Sequence, residues 1–115
     1  MLRDELAEAA AHVLTTKGHE QKSYPLTNTE SVSFDKIATE LSATLGKEIT
    51  YTSPPVDEFD SILKKAGVPD FYVGMFMMWA VAEAQGALDV EDTTLASFLG
   101  RQPTSVKQFI KTIYG

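Results

Sequence analysis

Between Phe71 and Ala82 every residue except Gly74 is apolar. A helix on the surface of a small domain keeps one polar face, and this run has none. As a helix it therefore needs cover on all sides. Nine of its side chains are large: Phe71, Tyr72, Val73, Met75, Phe76, Met77, Met78, Trp79 and Val81. At ~1.5–3 kcal/mol each, burying them contributes on the order of 15–25 kcal/mol as an upper bound. A chain of 115 residues buries only about 65% of its unfolded surface. Two arrangements satisfy this helix. It lies at the centre of a small bundle, or it faces something the chain does not contain: a ligand, a second subunit or another domain.

The rest of the composition narrows the field. The length suits one domain spanning 1–115. There are no cysteines, which excludes disulfides, thiol catalysis and the usual zinc patterns. The net charge of −6 and scattered basic residues argue against a nucleic-acid partner, since phosphate binding needs clustered Lys and Arg. The apolar run is too short to span a bilayer, which takes roughly twenty residues. A cytoplasmic protein fits these features.

Local signals predict a mainly helical chain with two short strands. Leu6, Ala9, Ala10, Val13 and Leu14 recur at helical spacing over 4–15. Asp4 is the expected N-cap there, and Glu5 and Glu8 suit the positive end of the helix dipole. Residues 22–27 read as an edge strand, because Pro25 lacks a backbone donor. Ser33 caps a helix over 34–45 and Gly46 stops it. Residues 48–52 alternate polar and apolar, as a half-buried strand does. Pro55 opens a helix over 55–66 and Gly67 closes it. Pro69 opens the apolar helix, which ends near Gln85-Gly86. A short helix covers 92–99, and Pro103-Thr104 introduces the last one. Two strands alone do not make a stable sheet.

No chemistry-bearing motif stands out. The glycines are dispersed, so neither G-x-G-x-x-G nor a Walker loop can be written, and no G-x-S-x-G elbow is present. His12 and His19 lack the orienting partners that acid–base work needs. His12 reads as a structural or surface residue, and His19 as a loop residue bonded to backbone. Glu8, four residues before His12, does not complete a metal site with it. The carboxylates Asp57, Glu58 and Asp60, and Asp89, Glu91 and Asp92, read as helix-start residues. The tyrosines lack a Lys four residues on. The aromatic and methionine stripe reads as core, as the wall of a hydrophobic pocket, or as an interface.

The order of several short segments resembles one family. These are Arg3-Asp-Glu-Leu-Ala-Glu-Ala-Ala-Ala11, Val13-Leu-Thr15, Gly18-His-Glu20, Tyr24-Pro-Leu-Thr27, Ser33-Phe-Asp-Lys-Ile-Ala38, Leu45-Gly46 and Leu99-Gly-Arg-Gln-Pro-Thr-Ser105, followed by Phe109. Together they resemble the C-terminal part of NmrA-like atypical short-chain dehydrogenase/reductases, in the NAD(P)H:quinone oxidoreductase-like subgroup. The resemblance covers nearly the whole chain. It implies an α/β protein of Rossmann type, of which this chain is the mainly helical substrate lobe, with five or six helices and two short strands. It also implies that the glycine-rich dinucleotide loop lies upstream of Met1, on an N-terminal Rossmann domain that would be this chain's partner.

NAD(P)H is the cofactor of the parent family. With that domain absent, the chain alone is expected to bind no NAD(P)H and to be inactive. Phe71, Met75, Met78 and Trp79 are the expected substrate wall, facing a quinone or another planar acceptor. Two alternatives accompany this reading. One is a dinucleotide-sensing regulator of the same family, and the other is a free-standing helical domain that forms a homodimer through the 71–82 helix.

Overall fold

The structure, a computed structural model, describes residues 1–115. It contains six helices: α1 (Arg3–Thr15), α2 (Phe34–Leu45), α3 (Val56–Lys65), α4 (Asp70–Ala84), α5 (Thr94–Leu99) and α6 (Val106–Tyr114). They fall into two compact units, residues 1–51 with 90–115, and residues 52–89.

In the first unit α1 packs on α5 and α2 on α6. Its core holds Ala9, Ala38, Leu95 and Ile110. The helix signals act as the residue types dictate. The Ser33 hydroxyl accepts a hydrogen bond from the Lys36 amide at 3.3 Å, and Gly46 turns the chain at φ 64° where a side chain would be strained. Ser105 and Gln108 bond each other reciprocally as a capping box at the start of α6.

Three boundaries differ from expectation. Asp4 lies inside the first turn of α1, and Leu2 occupies the N-cap without a side-chain bond. Asp92 precedes α5 instead of opening it: its Oδ1 accepts from the Thr94 amide at 2.7 Å, so the helix begins two residues later. α3 begins at Val56, with Pro55 as its N-cap.

The two strands expected at 22–27 and 48–52 do not form. Strands exist by pairing, and neither segment pairs here. What stands in for a ladder at the second segment is a serine. The Ile49 amide donates to Ser42 Oγ at 2.9 Å, and the same hydroxyl lies 3.1 Å from the Ile49 carbonyl and 2.8 Å from that of Ala38. The α2 side chain thus satisfies the amide of the half-buried Ile49, and its single proton is shared between the Ala38 and Ile49 carbonyls.

The second unit is the pair α3 and α4, joined by residues 66–69 and packed on each other. Asp57 and Glu58 sit in the first turn of α3 and Lys64 and Lys65 in the last, matching the helix dipole at both ends. Asp60 and Lys64 pair at 2.8 Å one turn apart.

Candidate functional site

The apolar helix α4 is covered on one side only. Val73 is buried at 2% exposure, and Phe76, Met77 and Ala80 are half-buried. These four lie at i, i+3, i+4 and i+7, so they form one stripe, and α3 is the helix that α4 packs against. The opposite stripe carries Phe71, Tyr72, Met75, Met78 and Trp79. Phe71 is 79% exposed, Met78 64%, Trp79 52% and Tyr72 48%, while Met75 is half-buried. All-round cover, as expected of so apolar a run, is therefore not supplied by α3, the helix that α4 packs on. Contiguous exposed apolar surface of this kind marks a ligand or interaction site.

The four residues expected as a wall, Phe71, Met75, Met78 and Trp79, share this exposed face. The structure adds Tyr72, which residue spacing had left out. Its ring meets Phe71 edge-on with centroids 5.4 Å apart. Trp79 leans on Phe76 of the neighbouring stripe, 6.0 Å between centroids. The signal for Tyr72 was available: it stands seven residues before Trp79, two turns along one face.

Elsewhere the polar side chains are engaged in holding the fold. Glu5, 3% exposed, lies one turn before the buried Ala9. Its Oε1 accepts from the Thr104 amide at 2.7 Å, the Thr104 hydroxyl at 2.7 Å and Arg101 Nη1 at 3.0 Å. Burial pushes its carboxyl up, but the Thr104 and Arg101 bonds outweigh that and hold it below the usual glutamate range. Glu8 takes the other arm of Arg101 at 2.8 Å. Arg101 is itself shifted up, chiefly by its bond to Glu5.

His19 bonds side chains, not backbone as expected. Its Nε2 lies 2.7 Å from Thr16 Oγ1, and its Nδ1 2.7 Å from the Tyr24 hydroxyl. Thr16 already donates its one proton to the His12 carbonyl at 2.7 Å. Nε2–H therefore donates to Thr16, and Nδ1 pairs with the Tyr24 hydroxyl. Phe98 of α5 stacks on His12 at 5.0 Å and meets Tyr24 edge-on at 4.9 Å. Both histidines thus fasten the loop after α1 to the first unit. No three His, Asp or Glu side chains come together as a metal site.

The carboxylate clusters do not converge either. Glu91 accepts from the Ser31 amide at 3.1 Å. Asp92, held low chiefly by its bond to Thr94, serves the turn before α5. A groove of ≈ 270 Å³ lies in the first unit, with Asn28, Lys36, Glu40 and Lys107 on its walls. It contains none of the exposed α4 residues, and two of its charges, Lys36 and Glu30, pair at 3.8 Å.

A dinucleotide cofactor needs adjoining glycines whose amides cradle phosphate. The glycines with left-handed backbone, at 18, 46, 67, 86 and 100, stand behind five different helices. The exposed face of α4 carries no cation. No two of these glycines adjoin, so they build no phosphate-cradling loop.

Known proteins place this face in context. No protein-family model matches the chain. Quinone oxidoreductase 2 of Escherichia coli (strain K12) is 30% identical over 112 residues, 97% of this chain and 39% of that protein. The crystal structure of the same NADPH-dependent enzyme complexed with NADPH superposes with a TM-score of 0.90, over 98% of this chain and 40% of the enzyme. The chain is a relative of the NmrA-like NAD(P)H reductases. Its helices match the C-terminal portion of the quinone oxidoreductase 2 fold.

Two other reductases are similar over the same stretch. Citrobacter sp. triphenylmethane reductase has a TM-score of 0.88 and 32% identity, covering 97% of this chain and 39% of that one. NAD(P)H azoreductase of Xenophilus azovorans is 27% identical over 93% of this chain and 37% of its own length. The chain thus spans about two fifths of the length of the reductases it matches. No helix is long and apolar enough to cross a membrane.

Proposed function

We propose that residues 1–115 are the substrate-binding portion of an NAD(P)H-dependent reductase of quinones or similar planar acceptors. In this reading Phe71, Met75, Met78 and Trp79 form the apolar wall against which the acceptor lies. The exposed α4 stripe carries the proposal: an unpartnered apolar face on a relative of reductases whose names specify quinones, azo compounds and triphenylmethane dyes. Flat aromatic molecules bury well against Met and aromatic side chains, because thioethers adapt to varied shapes. The wall positions the acceptor and excludes water. A Rossmann-type domain binding NAD(P)H is the partner this reading requires, and when bound the nicotinamide supplies the hydride. A cytoplasmic location belongs to the same reading.

The test joins this chain to a dinucleotide-binding domain and follows NADPH oxidation with menadione, a naphthoquinone. Met75→Ala and Trp79→Ala should raise KM for menadione several-fold with little change in KM for NADPH. An unchanged KM for menadione in both variants overturns the wall.

The same exposed face favours a second reading, a homodimer closed through residues 71–82 without catalysis. Sedimentation velocity of the purified chain separates the two. A dimer that Phe71→Ala dissociates supports the second, and a monomer at all concentrations removes it.

A further inference from the structure

The exposed face of α4 is not chemically uniform. Among Phe71, Tyr72, Met75, Met78 and Trp79 it presents two hydrogen-bond donors, the Tyr72 hydroxyl and the Trp79 indole N–H. Neither makes a hydrogen bond within the chain. The Tyr72 ring is fixed edge-on against Phe71, with planes at 79°. That contact uses the ring and leaves the hydroxyl at its tip unengaged. Tyr72 also begins the stripe that runs through Met75 to Trp79, two turns or ~10 Å along the axis. A phenol in such a place is costly to cover with a purely apolar molecule, because its O–H would be buried without a partner. A ligand that brings an acceptor atom to that spot avoids the cost.

We infer that the Tyr72 hydroxyl donates a hydrogen bond to a carbonyl oxygen of the planar acceptor. This assignment rests on α4 being the acceptor wall. It makes Tyr72 a specificity residue: the wall holds any flat aromatic molecule, and Tyr72 selects those carrying an oxygen acceptor at the edge. Phe71 contributes by holding the phenol ring in place. Discrimination of this type falls on the analogue that lacks the acceptor, since the site's donor is then left unpaired.

Two probes with the same ring system test it, menadione and 2-methylnaphthalene, the second lacking both carbonyls. Trp79 is the single tryptophan, so its emission reports binding of each to the 115-residue chain. Tyr72→Phe keeps the ring and removes only the oxygen. It should weaken menadione binding roughly threefold to tenfold and leave 2-methylnaphthalene within about twofold, with an unchanged far-ultraviolet circular dichroism spectrum. Phe71→Ala and Met78→Ala should weaken both probes.

If Tyr72→Phe alters neither probe, or both equally, while the other two variants weaken both, the Tyr72 assignment is wrong and the wall stands. If the wild-type chain binds neither probe, or Phe71→Ala and Met78→Ala change nothing, the wall itself fails and the assignment falls with it.

Discussion

Replacing Glu5 by Ala removes the acceptor that three donors share. The Thr104 amide and hydroxyl and one arm of Arg101 all converge on Oε1. Arg101 is half-exposed and turns to water or to Glu8. The Thr104 amide, on a half-buried residue, has no such outlet, and a buried donor left unpaired costs about 1–3 kcal/mol. Lost packing of the Glu5 stem beside Ala9 adds to this, for a total of about 2–4 kcal/mol, against ~6–17 kcal/mol expected for a domain of this length. Glu5→Gln keeps one acceptor oxygen and loses the charge, and should cost about half as much. Arg101→Ala should cost least of the three, because Glu5 keeps both Thr104 bonds.

Urea unfolding followed by circular dichroism at 222 nm gives the order. The sign of the pH dependence follows from the low carboxyl of folded Glu5. The unfolded chain binds the proton first, so this contribution is complete above the ordinary glutamate value of about 4.3 and is lost as pH falls through the folded value. Glu5→Gln should flatten that part of the acid limb. If Arg101→Ala proves as damaging as Glu5→Ala, the ion pair and not the Thr104 bonds holds α1 to the 101–104 segment, and the reasoning is wrong.

Three further outcomes are expected. Ser42→Ala should cost about 1–2 kcal/mol and speed hydrogen exchange at the Ile49 amide by more than tenfold; unaltered exchange would mean that another group protects it. Gly74→Ala should stabilise the chain by about 0.5–1 kcal/mol, because Gly74 is mid-helix and an added Cβ meets no atom within 4 Å; thermal unfolding that shifts downward refutes this. Dilute hydrogen peroxide should convert Met78 to its sulfoxide before Met75 and Met77, since it is the most exposed residue of the three. Peptide mass spectrometry reads the order, and equal rates would show the face closed in solution.

The helices were legible because their signals are local. Ser33, Gly46, Pro55, Pro69 and Gly100 act within one turn of themselves, and each stands where a helix begins or ends. The two expected strands are absent here because alternation describes a segment, whereas a strand is a relation between two. At 48–52 that relation is replaced by Ser42, seven residues from Ile49. Glu5 read as a dipole residue because its partner Thr104 lies 99 positions away. Only its place one turn before Ala9, on the buried side of α1, hinted otherwise. On α4 an unbroken apolar run has no period to read, so spacing could group Phe71, Met75, Met78 and Trp79 but could not say which stripe α3 takes. Packing decides that, through Val73, Phe76, Met77 and Ala80. Similarly, two hydroxyls 2.7 Å from His19 could not be inferred from a histidine after a glycine.

Val73 is the one fully enclosed side chain in the α3–α4 pair. Segments of under about 40 residues seldom sustain themselves on their own interior, and residues 52–89 have almost no interior to draw on. Whatever settles on the open stripe therefore completes a hydrophobic centre as well as filling a site. Occupancy should raise amide protection throughout Val56–Lys65 and Asp70–Ala84, including amides remote from the contact. Calorimetry should record a heat-capacity decrease larger than the contact area alone would give.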